Sequence, residues 1–525
     1  MKHVGPVVLL IALFACQTHT NSNDHLFTSI PAEISNIKFE NEVAESADFN
    51  VLNYYYAYNG GGVAIGDINN DGLLDIFFTS NQKSNKLYLN KGDFKFEDIS
   101  GSARISDPSG WTTGVNMIDI NNDGWLDIYV CKSASLQQPK LRENILFINQ
   151  KDGTFRNEAK EWGIDDNGFS IQSYFFDYDK DGDLDMFLIN HRVDFLNSVN
   201  LDHMINDDQF FPETSDHLYR NDGDKFTDVT PDIGLVNKDF SLSASIGDFN
   251  NDGWYDIYVA NDFINPDKLY INNQDGTFTN ELNKWMNHIS YSSMGSDMAD
   301  INNDLLPDLL VLDMSAEDHS RGKQNMPSMN TSGFADIVEA GYHYPYMSNT
   351  LSLNRGNGHF SDIAQLAGIA KTDWSWAPLI ADFDNDGFKD VFITNGIKRE
   401  IANQDFGLFL DSLEHNGGNL SIGQVLNRMP SEKLQNYVFQ NNGDLSFSKS
   451  TDVWGMNQLQ NTNGAAYGDL DNDGDLDLVL NNMGDQASIY QNNSANNYLS
   501  IRLIGDEHNV NGIGSKVTIW TDQGT

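Results

Sequence analysis

Seven copies of one acidic nine-residue loop, a short β-forming run on each side of every copy, and a Gly-turned hairpin further along each repeat predict an all-β fold: a seven-bladed β-propeller. The loop reads D-x-[DN]-x-D-G-x-x-D and starts at Asp67, Asp119, Asp177, Asp248, Asp300, Asp382 and Asp469, at intervals of 52 to 87 residues. That spacing suits one four-stranded sheet per copy, with connecting loops. A chain of 525 residues would otherwise suggest several domains; the repeat makes a single ring of most of it.

Val63-Ala64-Ile65-Gly66 precedes the first loop and Ile76-Phe77-Phe78-Thr79 follows it, so the loop joins two antiparallel strands, A and B. Leu87-Tyr88-Leu89-Asn90, a turn at Gly92-Asp93, and Phe94-Lys95-Phe96-Glu97-Asp98 then read as strands C and D of a hairpin. Leu269-Tyr270-Ile271-Asn272 with Gly276 and Phe278 repeats that signature. The seventh repeat has no D strand of its own after Ser488-Ile489-Tyr490-Gln491. Residues Ile37 to Glu42 carry the D-strand pattern ahead of the first loop and are expected to supply it. An N-terminal strand in that place closes the ring and leaves no raw sheet edge.

Alternate residues of a tight loop can direct oxygens inward, while Gly permits the sharp turn. Position 1 is Asp67, Asp119, Asp177, Asp248, Asp300, Asp382 and Asp469; position 3 is Asn69, Asn121, Asp179, Asn250, Asn302, Asp384 and Asp471. Position 5 is Asp71, Asp123, Asp181, Asp252, Asp304, Asp386 and Asp473; position 9 is Asp75, Asp127, Asp185, Asp256, Asp308, Asp390 and Asp477. Position 7 varies from Leu73 to Trp125 to Asp475, as a ligand acting through its backbone carbonyl would allow. These oxygen-only sets are candidate ligands for structural Ca²⁺, up to seven ions in all. The fifth loop departs, with Leu305 in place of Gly and Pro307 two residues on, and a distorted or weaker site is expected there. The β-forming runs after the loops exclude a helix-flanked EF-hand.

Acidic residues number 76 against 32 basic, a formal charge of −44, which repels phosphates and excludes nucleic acid as an expected partner. With 39% hydrophobic and 11% aromatic residues, the acid sits on a body able to build a core. Lys2 and His3 precede an apolar run from Val7 to Phe14 that is too short to span a bilayer and reads as an export signal. Leu13-Phe14-Ala15-Cys16 resembles a bacterial lipobox, so residues 1–16 are expected to be a lipoprotein signal with Cys16 lipidated, and 17–35 a tether. The expected location is the bacterial cell envelope, on the outer membrane, with membrane contact through the lipid alone. Cys131 is the other cysteine, so the mature chain has no intramolecular disulfide, and a buried apolar role is expected for it.

These loops and their flanking strands resemble the FG-GAP or VCBS-type repeats of integrin α-chain propellers and of many exported bacterial proteins, over roughly residues 36–493. Asn497 to Leu503 and Asn511 to Val517 resemble the opening of an ASPIC/UnbV domain, so residues 494–525 are expected to be its truncated start. The combination resembles large bacterial surface lipoproteins related in architecture to cartilage acidic proteins. That resemblance implies an extracytoplasmic calcium-binding role in adhesion or ligand binding, and it supplies no catalytic residues.

If the A-to-B loops hold the metal on one face, the B-to-C and D-to-A connections emerge on the other. Three B-to-C connections are long: Asn190 to Asp216, Asp313 to Asn349, and Asn395 to Asn436. The candidate ligand face comprises His191, Arg192, Tyr344, Lys398 and Arg399 from these insertions, with Trp374 and Trp376 from a D-to-A segment. Aromatic platforms beside hydrogen-bonding groups suit a glycan or a protein ligand. Asp405 to Leu413 is expected to be a short helix packed on the ring. A polysaccharide lyase or hydrolase is the rival class, with His191 or His343 as base; a structural envelope scaffold is a third. Neither a paired-acid nor a Ser-His-Asp constellation stands out to favour catalysis.

Overall fold

The computed structural model describes residues 25–107, 109–193, 211–325, 331–505 and 509–520; the export signal and Cys16 lie outside them. Val63–Gly66, Asp75–Phe78, Lys86–Asn90 and Phe96–Asp98 form strands A to D of blade 1, each antiparallel to the next. Blades 2 to 6 repeat this four-strand meander, with A strands at Trp111–Ile118, Ser170–Phe176, Ser241–Gly247, Ser296–Ala299 and Asp373–Ala381. Blade 7 takes Thr462–Gly468, Asp477–Asn482 and Ser488–Asn492 from the C-terminal part of the ring. Each A strand neighbours the A strand of the next blade, and that of blade 7 neighbours that of blade 1, so the ring is closed.

Neighbouring blades cover both faces of each sheet, and the B strands are therefore buried at every residue. This is why they read as unbroken apolar runs such as Ile257-Tyr258-Val259-Ala260 instead of alternating. Their side chains make up a series of clusters between adjacent blades. Cys131 is one such residue, fully buried in the cluster with Tyr129, Leu146 and Met186. Its thiol is pushed well up by burial.

The closing strand is Phe27–Ile30, antiparallel to Ser488–Asn492, and not Ile37 to Glu42. The latter segment makes only isolated bridges, Glu40 to Gln486 and Asn41 to Met483. Its alternation has another cause: Ile37 and Phe39 wedge between blades 7 and 1 beside Phe78, Leu470 and Val479. Phe27 packs against Phe383 and Trp454, at ring-centroid distances of 6.0 and 6.2 Å. A helical turn, Ala32–Ser35, follows this strand, just as Leu282–Trp285 follows strand D of blade 4 and Ala364–Ala367 that of blade 5.

Between the closing strand and blade 1, residues 43–60 cross the ring and include a 3₁₀ turn at Tyr55–Tyr58. Tyr54 reaches Ser133 Oγ at 3.1 Å and His191 Nε2 at 3.2 Å, and Tyr56 donates to Asp262 at 3.4 Å, all at or just past the ends of B strands. Asn463, at the start of an A strand, donates to the Tyr58 carbonyl at 2.8 Å. These contacts place the segment as a plug over the central axis, on the face opposite the A-to-B loops. The insertions of blades 5 and 6 fold as helices His319–Asn325, Thr331–Glu339, Gln404–His415 and Ile422–Arg428. No helix among the described residues is long and apolar enough to cross a membrane.

If Phe27–Ile30 closes the ring, Phe27→Ala should cost about 3–5 kcal/mol in denaturant unfolding. Ile34→Ala, at a side chain 49% exposed on the following turn, should stay within about 0.5 kcal/mol. Equal effects from the two would refute the closure.

Candidate functional site

Each A-to-B loop is built around its ninth residue. Asp75, Asp127, Asp185, Asp256, Asp308, Asp390 and Asp477 are fully buried at the start of their B strands. One carboxylate oxygen accepts the N–H of loop position 2, at 2.8–3.3 Å in all seven blades. The other accepts the N–H of the Asn that ends strand C, at 2.7–2.9 Å. Burial pushes Asp127, Asp185, Asp390 and Asp477 up to about 8, and Asp75, Asp256 and Asp308 to about 7, with the amide bonds acting in the opposite direction. A cation against these carboxylates would restore the charged form.

The strand-C Asn carries the contact onward. In six blades its side-chain N–H donates to the position-2 carbonyl of the preceding blade at 2.7–2.9 Å, from Asn90 to Leu470 through Asn492 to Phe383. Loop and neighbouring blade are thus locked by one Asp–Asn pair. The loops are also linked at position 4, left-handed in all seven copies with φ between 55° and 61°. Asn70, Asn303 and Asn472 there donate to the position-6 carbonyl of the next blade at 2.9–3.0 Å. Lys180, the one non-Asn at this position, lies 4.5 Å over the Trp254 ring of the next loop.

Position 1 closes the turn, one oxygen accepting the position-6 N–H at 2.8–3.1 Å in every loop. Position 6 needs φ between 72° and 100°, which Gly adopts without strain. The fifth loop was expected to be distorted, and it is not. Leu305 takes φ 72° and makes the same bond to Asp300, at 2.8 Å, because the surrounding bonds hold it there.

Position 1, 3 and 9 carboxylates converge where position 3 is Asp. In blades 3, 6 and 7 the groups Asp177/Asp179/Asp185, Asp382/Asp384/Asp390 and Asp469/Asp471/Asp477 each bring ligand oxygens within 4.8 Å of one another. Asp177 and Asp471 each have a buried oxygen with no hydrogen-bond partner. Orphaned anionic oxygens in an all-oxygen cluster fit a hard divalent cation. In loops 1, 4 and 5 the position-3 Asn instead donates to the position-5 Asp, at 2.8–3.0 Å. The sequence reading missed Asp475, at position 7 of the seventh loop. Its carboxylate is buried, has an orphan oxygen, and is raised by burial and by Asp473.

Residues 67–130, 248–311, 329–393 and 426–480 match the FG-GAP-like repeat family, and six of the seven loops fall inside these stretches. The chain is an FG-GAP-repeat propeller. It is also similar to cartilage acidic protein 1, with 42% identity to the Xenopus tropicalis protein and 40% to that of Homo sapiens over 72 residues. Those stretches cover 14% of this chain and 11% of each relative, so the match spans about a tenth of the relatives' length. A solved structure of YCF48 bound to D1 peptide aligns over 90% of the chain and 96% of its own, with 5% identity and a TM-score of 0.40.

On the opposite face of the FG-GAP propeller, most of the candidate ligand residues pack the plug. His191 is fully buried, stacked on Tyr56 with ring centroids 4.4 Å apart, and burial holds its imidazole down to about 3. Arg192 is 6% and Trp374 4% exposed, and Trp376 packs against the plug cluster with its Nε1–H on the Gly396 carbonyl at 2.5 Å. Lys398 and Arg399 are held by the plug itself, through the Val43 carbonyl and the Glu45 carboxylate. His343 is buried with Nε2 2.9 Å from the Met286 carbonyl. These residues were expected to form an open platform; the chain's own residues 43–60 cover His191, Lys398 and Arg399 and share one cluster with Trp374 and Trp376. Tyr344 is the exception, 46% exposed, and Tyr346 lies beside it at 45%.

Two substitutions in blade 3 separate the structural and metal roles. In metal-free protein Asp185→Asn sets a side-chain N–H against a backbone N–H and should cost about 1–3 kcal/mol. Asp179→Asn, which restores the residue four other loops carry, should leave metal-free stability unchanged and weaken only the gain on adding metal. Equal losses without metal would contradict this assignment.

Proposed function

We propose that this FG-GAP propeller is a calcium-binding lipoprotein of the bacterial envelope, a rigid ring that presents an adhesion or ligand-binding surface on its insertion face. The observation that carries the reading is the division between the two faces. One bears seven near-identical acidic loops, which suits a structural metal role. The other bears all three long connections, with Phe211, Tyr344, Tyr346 and Phe409 exposed on them at 42–48%. Calcium is the ion favoured, because every side-chain donor in the loops is an oxygen and the donors come from carboxylates, amides and carbonyls in a flexible arrangement. An envelope location rests on the export signal and on Cys16.

The burial of His191 and His343 leaves the lyase reading without the bases first assigned to it. A ligand polymer or a protein partner would meet the insertion face without touching the loops, so calcium acts on binding through the rigidity of the ring. The test is to pass the calcium-loaded chain lacking residues 1–16 over immobilised polysaccharides and matrix proteins, and to assay the same samples for new chain ends. Retention without cleavage, lost on chelation, is the expected result. Retention on no surface would contradict the reading, and cleavage would replace it with an enzymatic one.

A further inference from the structure

A cavity of about 650 Å³ lies beneath the blade 5 insertion. We propose that it binds the rings of a neutral oligosaccharide, an assignment that rests on the ligand-binding reading above and gives it a place and a ligand class. Its walls come from opposite-face connections: His288 and Lys371 from D-to-A segments, Glu317 and Lys323 from the start of the insertion, Tyr346 from its end. Pockets of about 300–1,000 Å³ take small ligands, so the space suits a short oligosaccharide.

The polar groups on these walls are fixed in advance. Asp362 accepts the N–H groups of Leu351 and Ala364 on one oxygen, at 3.0 and 2.9 Å, and faces His288 Nε2 at 3.1 Å with the other. Glu317 is held by Tyr437 Oη at 3.0 Å and Lys449 Nζ at 2.6 Å. Lys323 and Lys371 line the cavity with no carboxylate paired to them among the described residues. Tyr346 sits in a two-residue strand, Pro345–Tyr346, paired with Ile289–Ser290. Its ring meets Phe334 at 5.4 Å and the edge of His288 at 5.4 Å. An aromatic ring held at the mouth, 45% exposed, offers a flat apolar surface to the C–H face of a pyranose.

The charge pattern selects the class. An apolar ligand would leave Lys323 and Lys371 without partners. A polyanion would meet Glu317, Asp318 and Asp362 in the wall and a chain carrying −44 overall. Neutral hydroxyls satisfy both signs, accepting from lysine and donating to carboxylate.

The test titrates the calcium-loaded chain calorimetrically with cellotetraose, xylotetraose, mannotetraose, maltotetraose and the anionic tetragalacturonate. At least one neutral tetrasaccharide should bind saturably. Tyr346→Ala should weaken it by roughly tenfold and the double variant Lys323→Ala/Lys371→Ala by several-fold, while Ile34→Ala, on the turn after the closing strand, leaves it unchanged. The melting temperatures of these exposed-site variants should match the parent. No binding of any neutral tetrasaccharide, an unchanged affinity in Tyr346→Ala, or a preference for tetragalacturonate would overturn the proposal. A chain that is retained on a polymer or matrix protein yet indifferent to these substitutions would lose this site and keep the broader reading; one retained on none would lose both.

Discussion

The buried carboxylate at loop position 9 is the group on which the ring depends. It fastens the A-to-B loop to strand C by two backbone amides, and the Asn it meets there fastens the blade to its predecessor. Blade 3 apart, every junction repeats the bond, so loop conformation and blade packing cannot be changed independently. A carboxylate so enclosed is costly to ionise, as the upward pressure on all seven shows. Two amide bonds offset part of that cost, and a cation beside positions 1 and 3 would offset the rest. The acidity of the chain and the stability of its fold are in this sense one problem.

That arrangement leaves the two faces of the ring with different tasks. On the loop face, Asn side chains at position 4 tie neighbouring turns together, and residues 494–505 and 509–520 lie against them: Ser494 meets the Asp384 carbonyl and Lys516 the Leu305 carbonyl, at 2.8 and 3.2 Å. On the other face the constraint is relaxed. Connections there can lengthen without disturbing the Asp–Asn bonds, and three of them do. Arg321 binds the blade 5 insertion to blade 6 through Asp373 and Glu400, at 2.7 Å to each, so these additions are rigid extensions of the ring.

The ring, the number of its blades and the order of their strands were legible because the loop pattern is tied to backbone geometry at every position. The closing strand was misplaced by ten residues. Phe27-Thr28-Ser29-Ile30 lacks the Gly turn that marks other D strands, since it arrives from the far end of the chain, while Ile37 and Phe39 imitate one by packing between blades. The better signal was the helical turn behind it, which Phe278-Thr279-Asn280 also precedes. The Asn at position 4 was overlooked although six of seven loops carry it; a left-handed φ explains it. The ligand face was misread for a different reason. Trp374, Trp376 and His191 sit at the correct end of the ring, but nothing local to them says that Tyr54, Tyr56 and Tyr58, more than a hundred residues away, fold back over the axis. Tyr344 and Tyr346 escape because their insertion carries them outside the plug.

The most direct test of the account is a count of metal ions, by native mass spectrometry of the purified chain in calcium and after chelation. Seven calcium ions per chain, with a fall in melting temperature as they are removed, is the predicted result; each site held at about a hundred times its Kd would contribute about 2.7 kcal/mol. A chain with no bound calcium, equally stable with and without chelator, would contradict it.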